Sequence, residues 1–294
     1  MYKADGARAS GRPLETQVSI FKLHLATLLF GLSGVIGRIS TIDVRMLVEA
    51  RAGLAALALF FVARMSRIDL RVPRQKQIPY AAIGLLLGFH WYSFFYSIRL
   101  SGVSIGLLSF SSSPIFVILL APLVNKSRLL IQDFLSIAAF SVGLILIINP
   151  SSIDQSKIVG ALWGIGSGFS FAIAQIINKI LVERDHPIKI AAYQNFGATL
   201  ALLPFINISM LPETSIGIFQ ILTIGFICTA FAHTIFISGM KLVSAQTASM
   251  FTYLEPVYGI ALATIICHDT PDGQTIVGAT IILLSIYFSQ KTQR

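Results

Sequence analysis

The chain has 294 residues, of which 55% are hydrophobic and only 12% charged, with a mean hydropathy of +0.78. That balance excludes an ordinary water-soluble domain and places the chain among polytopic membrane proteins. The net charge of +9 does not mark a nucleic-acid surface, because the basic residues sit between apolar runs and read as topology signals.

Residues 1–17 form a polar, basic tail, and the first apolar run follows it at 18–37 with no small-residue cleavage site, so it is expected to be a retained helix. The second span, 44–64, carries Glu49 and, about two turns in, Arg51. The guanidinium can hold a substrate carboxylate or snorkel to the nearer surface. Glu49 lies two residues away, on another face, so the two need not pair.

The third span, 78–98, contains FHWYSFFYS. His90, Phe94 and Ser97 share one helix face, while Tyr92 and Tyr96 share another. An imidazole among aromatic rings suits a proton relay or a pocket for an amphipathic solute, and aromatic packing around one satisfied histidine is the alternative. The fourth span, 104–124, runs through Ser109, Ser111, Ser112 and Ser113 into Pro114, a helix break. The fifth, 131–148, is short and has little polar character at depth.

The sixth span, 158–181, holds Trp163, Gln175 and Asn178. The seventh, 188–209, holds Gln194 and Asn195, and the eighth, 216–240, holds His233. Amide side chains inside apolar helices commonly join helices to one another, and Asn195, the deepest, is a candidate substrate contact. Glycines at 31, 34, 37, 164, 166 and 168 are expected to permit close helix contact.

The ninth span, 244–266, reads SAQTASMFTYLEPVYGIALATII, with Glu255 at its middle, Pro256 next to it, and Tyr253 and Tyr258 on either side. A carboxylate at that depth costs roughly 2.5–3.5 kcal/mol on insertion scales. The proline leaves a carbonyl without its helical partner. Two costly features side by side point to a cavity lining, with Glu255 as a proton carrier or as partner of a substrate ammonium. The tenth span covers 273–290.

Ten spans put both termini on one side. That side then collects most of the basic residues, among them Arg64, Arg67, Arg71, Arg74 and Lys76, and the other holds Arg38, Arg45, Arg99 and Lys157. The termini are therefore expected to be cytoplasmic. An offset of 142 carries Phe89 onto Phe231, Phe94 onto Phe236, Arg99-Leu100 onto Lys241-Leu242, Pro114 onto Pro256 and Gln132 onto Gln274. The same offset brings Trp91 onto His233. The chain thus reads as two related halves, 18–149 and 158–290, and five spans in each make the second half run in the opposite sense. Inverted repeats of this kind build secondary transporters, with the substrate near the midplane.

LLFGLSGVIGRI in the first span, EARAGLAALALFF in the second, GLLLGFHWYSFFYSIRLSGVSIGLLSFSSSPIFVILL across the third and fourth, and the ninth span with GATIILLSIYFS in the tenth resemble the EamA-type repeats of the drug/metabolite transporter superfamily. The resemblance covers about residues 20–290. It implies an all-α fold of ten transmembrane helices in two inverted five-helix repeats. The implied activity is export or exchange of small metabolites, amino acids among them, in the cytoplasmic membrane of a bacterium. The family tends to carry an arginine in the second span, as Arg51 does here, and often a glutamate just after spans four and nine, where this chain reads Asn125-Lys126 and Cys267-His268.

The expectation is a multi-pass secondary transporter, monomeric or homodimeric, moving a small metabolite by alternating access, with protons as a candidate coupling ion. Import of a nucleoside-like metabolite such as S-adenosylmethionine, and lipid flipping, are the alternatives. No phosphate loop, HExxH pair or paired-cysteine spacing is present, so neither an enzyme nor a cofactor or metal site is expected.

Overall fold

A computed structural model describes residues 12–125, 131–148, 154–243 and 245–291, and all regular structure among them is helical. Much of the expected N-terminal tail, together with Lys126, Arg128 and residues 149–153, lies outside the described residues. Helix α1 is Arg12–Ile39 and α2 is Val44–Met65, started by Asp43, whose carboxylate accepts from the Arg45 backbone N–H at 2.8 Å. Then come α3, Gln77–Phe110; α4, Ser113–Asn125; α5, Ile131–Ile148; and α6, Gln155–Val182, capped in the same way by Asp154. Helix α7, Pro187–Leu202, begins with proline in its first turn, where no N–H is missed. Helix α8, Ser215–Leu222, continues as a π-helical segment, Thr223–Phe231, into α9, Ala232–Gly239. Last are α10, Ala245–Thr252; α11, Leu254–Cys267; and α12, Gly273–Lys291.

Six helical runs are long and apolar enough to cross a bilayer: Glu15–Ile39, Val44–Met65, Arg74–Leu120, Gln155–Val182, Ser215–Gly239 and Thr247–Cys267. The shorter apolar stretches Ile137–Ile147 and Gly273–Ser285 lie in α5 and α12. Large apolar side chains such as Leu57, Phe61, Leu85 and Ile216 are exposed, whereas Arg51, His90, Gln175, His233 and Glu255 are buried. Apolar outside and polar inside is the distribution a bilayer imposes. The protein is therefore an all-α, multi-pass membrane protein.

Four of the expected spans are altered, the seventh by ending as α7 at Leu202, short of 209, before two 3-10 turns at Leu203–Phe205 and Ile208–Met210. The connection predicted between spans three and four is a single residue: Gly102, at φ +86° and ψ 169°, kinks α3, which then runs on to Phe110. Only glycine adopts that conformation readily. The predicted span 104–124 is interrupted at Ser111–Ser112, and the predicted span 244–266 at Tyr253. Both breaks have one cause. Pro114 and Pro256 have no N–H to give the carbonyl four residues back, and those carbonyls belong to Phe110 and Thr252, the last residues of α3 and α10. The offset of 142 places Ser111 on Tyr253, so the two breaks share one register.

Helix α3 packs along α6 and α7, α1 against α9 and α11, and α5 against α12. Small residues set the spacing. A methyl on Gly31 of α1 would lie 2.9 Å from the Gly259 nitrogen and 3.1 Å from the Glu255 carbonyl oxygen, so this glycine brings the broken end of α11 onto α1. Gly164 and Gly168 likewise meet Ser109 and Ser112, whereas Gly166 has only the Phe89 ring, 3.9 Å away. At one end of the bundle Asp185, between α6 and α7, pairs with Lys76 at 2.6 Å and Lys189 at 3.4 Å. There Lys189 donates to the Arg71 carbonyl and the Tyr193 hydroxyl to the Leu70 carbonyl, which fastens the α2–α3 connection to α7.

Candidate functional site

Arg51, His90, His233, Glu255 and Ser33 come from α2, α3, α9, α11 and α1, yet all line one small cavity among the rings of Phe30, Trp91, Phe94, Phe110 and Phe171. The cavity measures about 20 Å³, room for about one water molecule. The four ionisable side chains are each no more than 5% exposed. Arg51 donates from Nε to the Thr229 hydroxyl at 2.8 Å, and its guanidinium carbon lies 4.4 Å from the centre of the Trp91 ring and 5.2 Å from that of Phe95. Thr229 belongs to the π-helical segment and donates in turn to the Ile224 carbonyl, five residues back, at 2.7 Å. The wider π turn thus presents a polar atom to the guanidinium.

His90 and Ser167 form a closed pair. The imidazole Nδ1 is 2.7 Å from the Ser167 hydroxyl, which also lies 3.1 Å from the His90 carbonyl. The Phe171 and Phe110 rings pack on the imidazole at 4.7 and 5.2 Å. His233 sits edge-on to Trp91 at 5.1 Å and beside Phe30 at 4.7 Å. Among the described residues no ion pair within 4 Å reaches Glu255. Glu255 and Arg51 therefore face the same cavity without direct contact. One end offers a carboxyl and the other a guanidinium, with aromatic walls between, an arrangement that complements a small solute bearing both signs of charge or a planar cation.

The other sequence candidates lie apart from this cavity. Tyr92 and Tyr96 stack on each other at 5.6 Å, and Trp163 stands edge-on to both at 5.8 and 5.4 Å, on a different face of α3. Tyr253 packs in a separate apolar cluster with Ile105 and Leu108. The Tyr258 hydroxyl is 3.3 Å from His24 Nδ1. Asn195 is fully buried and donates to the Ala191 carbonyl one turn back at 2.8 Å. Glu49 is buried without pairing to Arg51. Of the serines before Pro114, Ser111 donates to the Leu107 carbonyl at 3.0 Å, and the hydroxyls of Ser109, Ser112 and Ser113 have no partner among the described residues. Ser33, Ser167 and Thr229 were not singled out from sequence. A lone hydroxyl in an apolar helix carries no signal of its own, and neither Ser167 nor Thr229 has a polar counterpart at the 142 offset.

Comparison with known proteins agrees with the architecture. A solved crystal structure superposes with a TM-score of 0.70 at 15% identity, covering 97% of this chain and 99% of that one, which shows a shared fold. The uncharacterized transporter YxxF of Bacillus subtilis (strain 168) is 23% identical over 91% of this chain and 88% of its own. The S-adenosylmethionine uptake transporter of Rickettsia prowazekii (strain Madrid E) is 25% identical over 71% of each chain. The probable amino-acid metabolite efflux pump of Salmonella typhimurium (strain LT2) is 24% identical over 79% of this chain and 80% of its own. The model of the EamA-like transporter family matches twice, over residues 17–149 and 158–290, nearly the whole chain. A bundle with its polar groups turned inward, broken twice in one register and matched twice by one family, belongs to the EamA-like transporters of the drug/metabolite superfamily and is a transporter, not an enzyme.

Proposed function

We propose that this transporter moves a small zwitterionic or amphipathic metabolite by alternating access, with the cavity between Arg51 and Glu255 as its substrate site. The observation that carries this reading is a buried guanidinium and a buried carboxyl facing one cavity without pairing. A guanidinium and a carboxyl buried at such cost and held apart are accounted for by a ligand that joins them. In this conformation the cavity is too small for a metabolite, as expected of an occluded state between two open ones. His90, held by Ser167, and His233 are the candidate proton-handling groups beside it.

The architecture we infer is ten spans in two inverted repeats, 18–149 and 158–290, with both termini in the cytoplasm of a bacterial cell. The twofold family match supports it, as do the shared register of the proline breaks and the contact between Trp91 and His233, which the offset equates. Residues equated by a twofold operation touch each other where its axis passes. Discontinuous helices at corresponding places in the two halves mark substrate sites in such folds.

Export of an amino-acid metabolite is the favoured direction, in keeping with the Salmonella relative. Uptake of S-adenosylmethionine is the second reading, favoured by the Rickettsia relative and by the aromatic walls, which suit a sulfonium cation. Proteoliposome transport with amino acids and S-adenosylmethionine in competition, at two pH values, separates them. Glu255→Gln is expected to lower transport and change its pH dependence. Unchanged rate, pH profile and substrate range in that variant would overturn the site assignment.

A further inference from the structure

A second, larger cavity lies where α1 turns into α2. It measures about 360 Å³ and is lined by Asp43, Val44, Arg45, Tyr92, Tyr96 and Arg99. Its charges do not cancel. Arg45 and Asp43 neutralise each other through a two-point contact, Nε to Oδ1 at 3.0 Å and Nη2 to Oδ2 at 3.1 Å. Arg99 is held only by neutral groups, donating from Nε to the Gly37 carbonyl at 3.0 Å and from Nη2 to the Ile42 carbonyl at 2.7 Å. These two bonds fix the guanidinium, and its Nη1 has no acceptor among the described residues. Among the described residues no carboxylate lies within 4 Å of it. A partly buried, oriented and unneutralised guanidinium is a built anion receptor.

The opposite wall is the stacked pair Tyr92 and Tyr96, inclined by 10° and backed by the edge of Trp163. Parallel rings fixed from behind present a flat surface on which a further ring can slide or stack. Helix α3 separates this cavity from the central one, since Trp91 and Phe94 line the first and Tyr92 and Tyr96 the second.

We propose that this cavity is a second ligand site, which takes a small organic anion carrying a planar ring, its carboxylate on Arg99 and its ring against Tyr92 and Tyr96. The proposal does not depend on the role given to Arg51 and Glu255. It assigns to Tyr92 and Tyr96, backed by Trp163, a binding surface apart from the central cavity.

Trp163 serves as reporter, with Trp91, the other tryptophan, replaced by phenylalanine. The purified full chain is titrated by fluorescence with benzoate, which has ring and charge; with cyclohexanecarboxylate, which has charge without a flat ring; and with benzyl alcohol, which has ring without charge. Benzoate is expected to give a saturable change and to bind at least about tenfold more tightly than the other two, roughly 1.4 kcal/mol. Arg99→Gln and Tyr96→Leu are each expected to weaken benzoate at least about tenfold, while Glu255→Gln leaves it unchanged. Because Arg99 also ties the α1–α2 turn, Tyr96→Leu keeps the test decisive if Arg99→Gln does not fold. Three results would overturn the proposal: no saturable benzoate signal, equal binding of all three probes, or benzoate affinity that follows Glu255→Gln and ignores Tyr96→Leu.

Discussion

Replacing Arg51 by methionine separates what this residue does for stability from what it does for transport. In the folded protein the guanidinium gains a charged hydrogen bond to Thr229 at 2.8 Å, about 1.5–3 kcal/mol, a long second one to the Cys228 carbonyl at 3.5 Å, and a desolvated contact with the Trp91 face, about 2 kcal/mol. Against this stands the cost of burying a cation with no carboxylate within 4 Å, several kcal/mol even after relaxation. The two sides nearly cancel. Methionine has similar helix propensity and keeps a favourable sulfur–ring contact of about 0.3–1.5 kcal/mol with Trp91. Thr229 is not orphaned, because its hydroxyl already donates to the Ile224 carbonyl. The expected result is an apparent melting temperature in detergent that is unchanged or raised, while proteoliposome transport falls roughly 10- to 150-fold, the value of a charged hydrogen bond to substrate. Leu47→Ala, a plain truncation of a fully buried side chain costing about 2–5 kcal/mol, sets the scale of real destabilisation. If Arg51→Met melts as early as Leu47→Ala, the guanidinium is a structural strut and the argument from its cost fails.

Backbone strain and charge give three further expectations. Gly102→Ala should cost about 1–3 kcal/mol from its φ of +86° alone, since no atom lies within 4 Å of the added methyl; Gly273→Ala, equally uncrowded but without positive φ, should be neutral or stabilising in the same melting assay. Gly31→Val should lower both melting temperature and transport, because its nearest neighbours are backbone atoms of α11 that have no room to yield, and overpacking costs about 1–3 kcal/mol. At Asp185 burial works against the charge, but the hydrogen bond of Lys76 and the charges of Lys76 and Lys189 outweigh it and hold the carboxyl below its ordinary value of 3.8. A depressed carboxyl stabilises the fold above its unfolded pKa and loses that contribution as pH falls through the folded value. Wild-type melting temperature should therefore drop below about pH 4, and Asp185→Asn should melt lower at pH 7 and lack that acid step.

The membrane class, the helical content and the central residues Arg51, His90, His233 and Glu255 were legible in the sequence for one reason. An ionisable group inside an apolar span is costly enough that its position alone carries information. The Pro114 and Pro256 breaks were legible on the same ground. What the sequence left open was which faces meet. Tyr92 and Tyr96 were grouped with His90 by proximity along the chain, although their separate face of α3 was already evident from the spacing; the fold turns that face to another cavity. Asn195 was chosen for depth; its Nδ2 bonds within its own helix to Ala191, while its buried Oδ1 has no partner among the described residues. Thr229 and the π turn that presents it were invisible, because a π segment depends on the packing of its neighbours rather than on a residue pattern.

Glu255 follows directly on the break at Tyr253, in the helix that Gly259 brings against Gly31 of α1. Tyr253 keeps helical backbone angles, φ −68° and ψ −23°, and the carboxyl of Glu255 lines the central cavity while Val257, Ile265 and Ile266 stay exposed on the apolar outer surface. In the first half the same register ends α3 at Phe110 and places Ser113 where the second half has Glu255. One proline-made break is thus used twice, once with a charge and once with hydroxyls. The acid of the central cavity follows from that difference, and its guanidinium from Arg51, whose counterpart at the same offset is Tyr193.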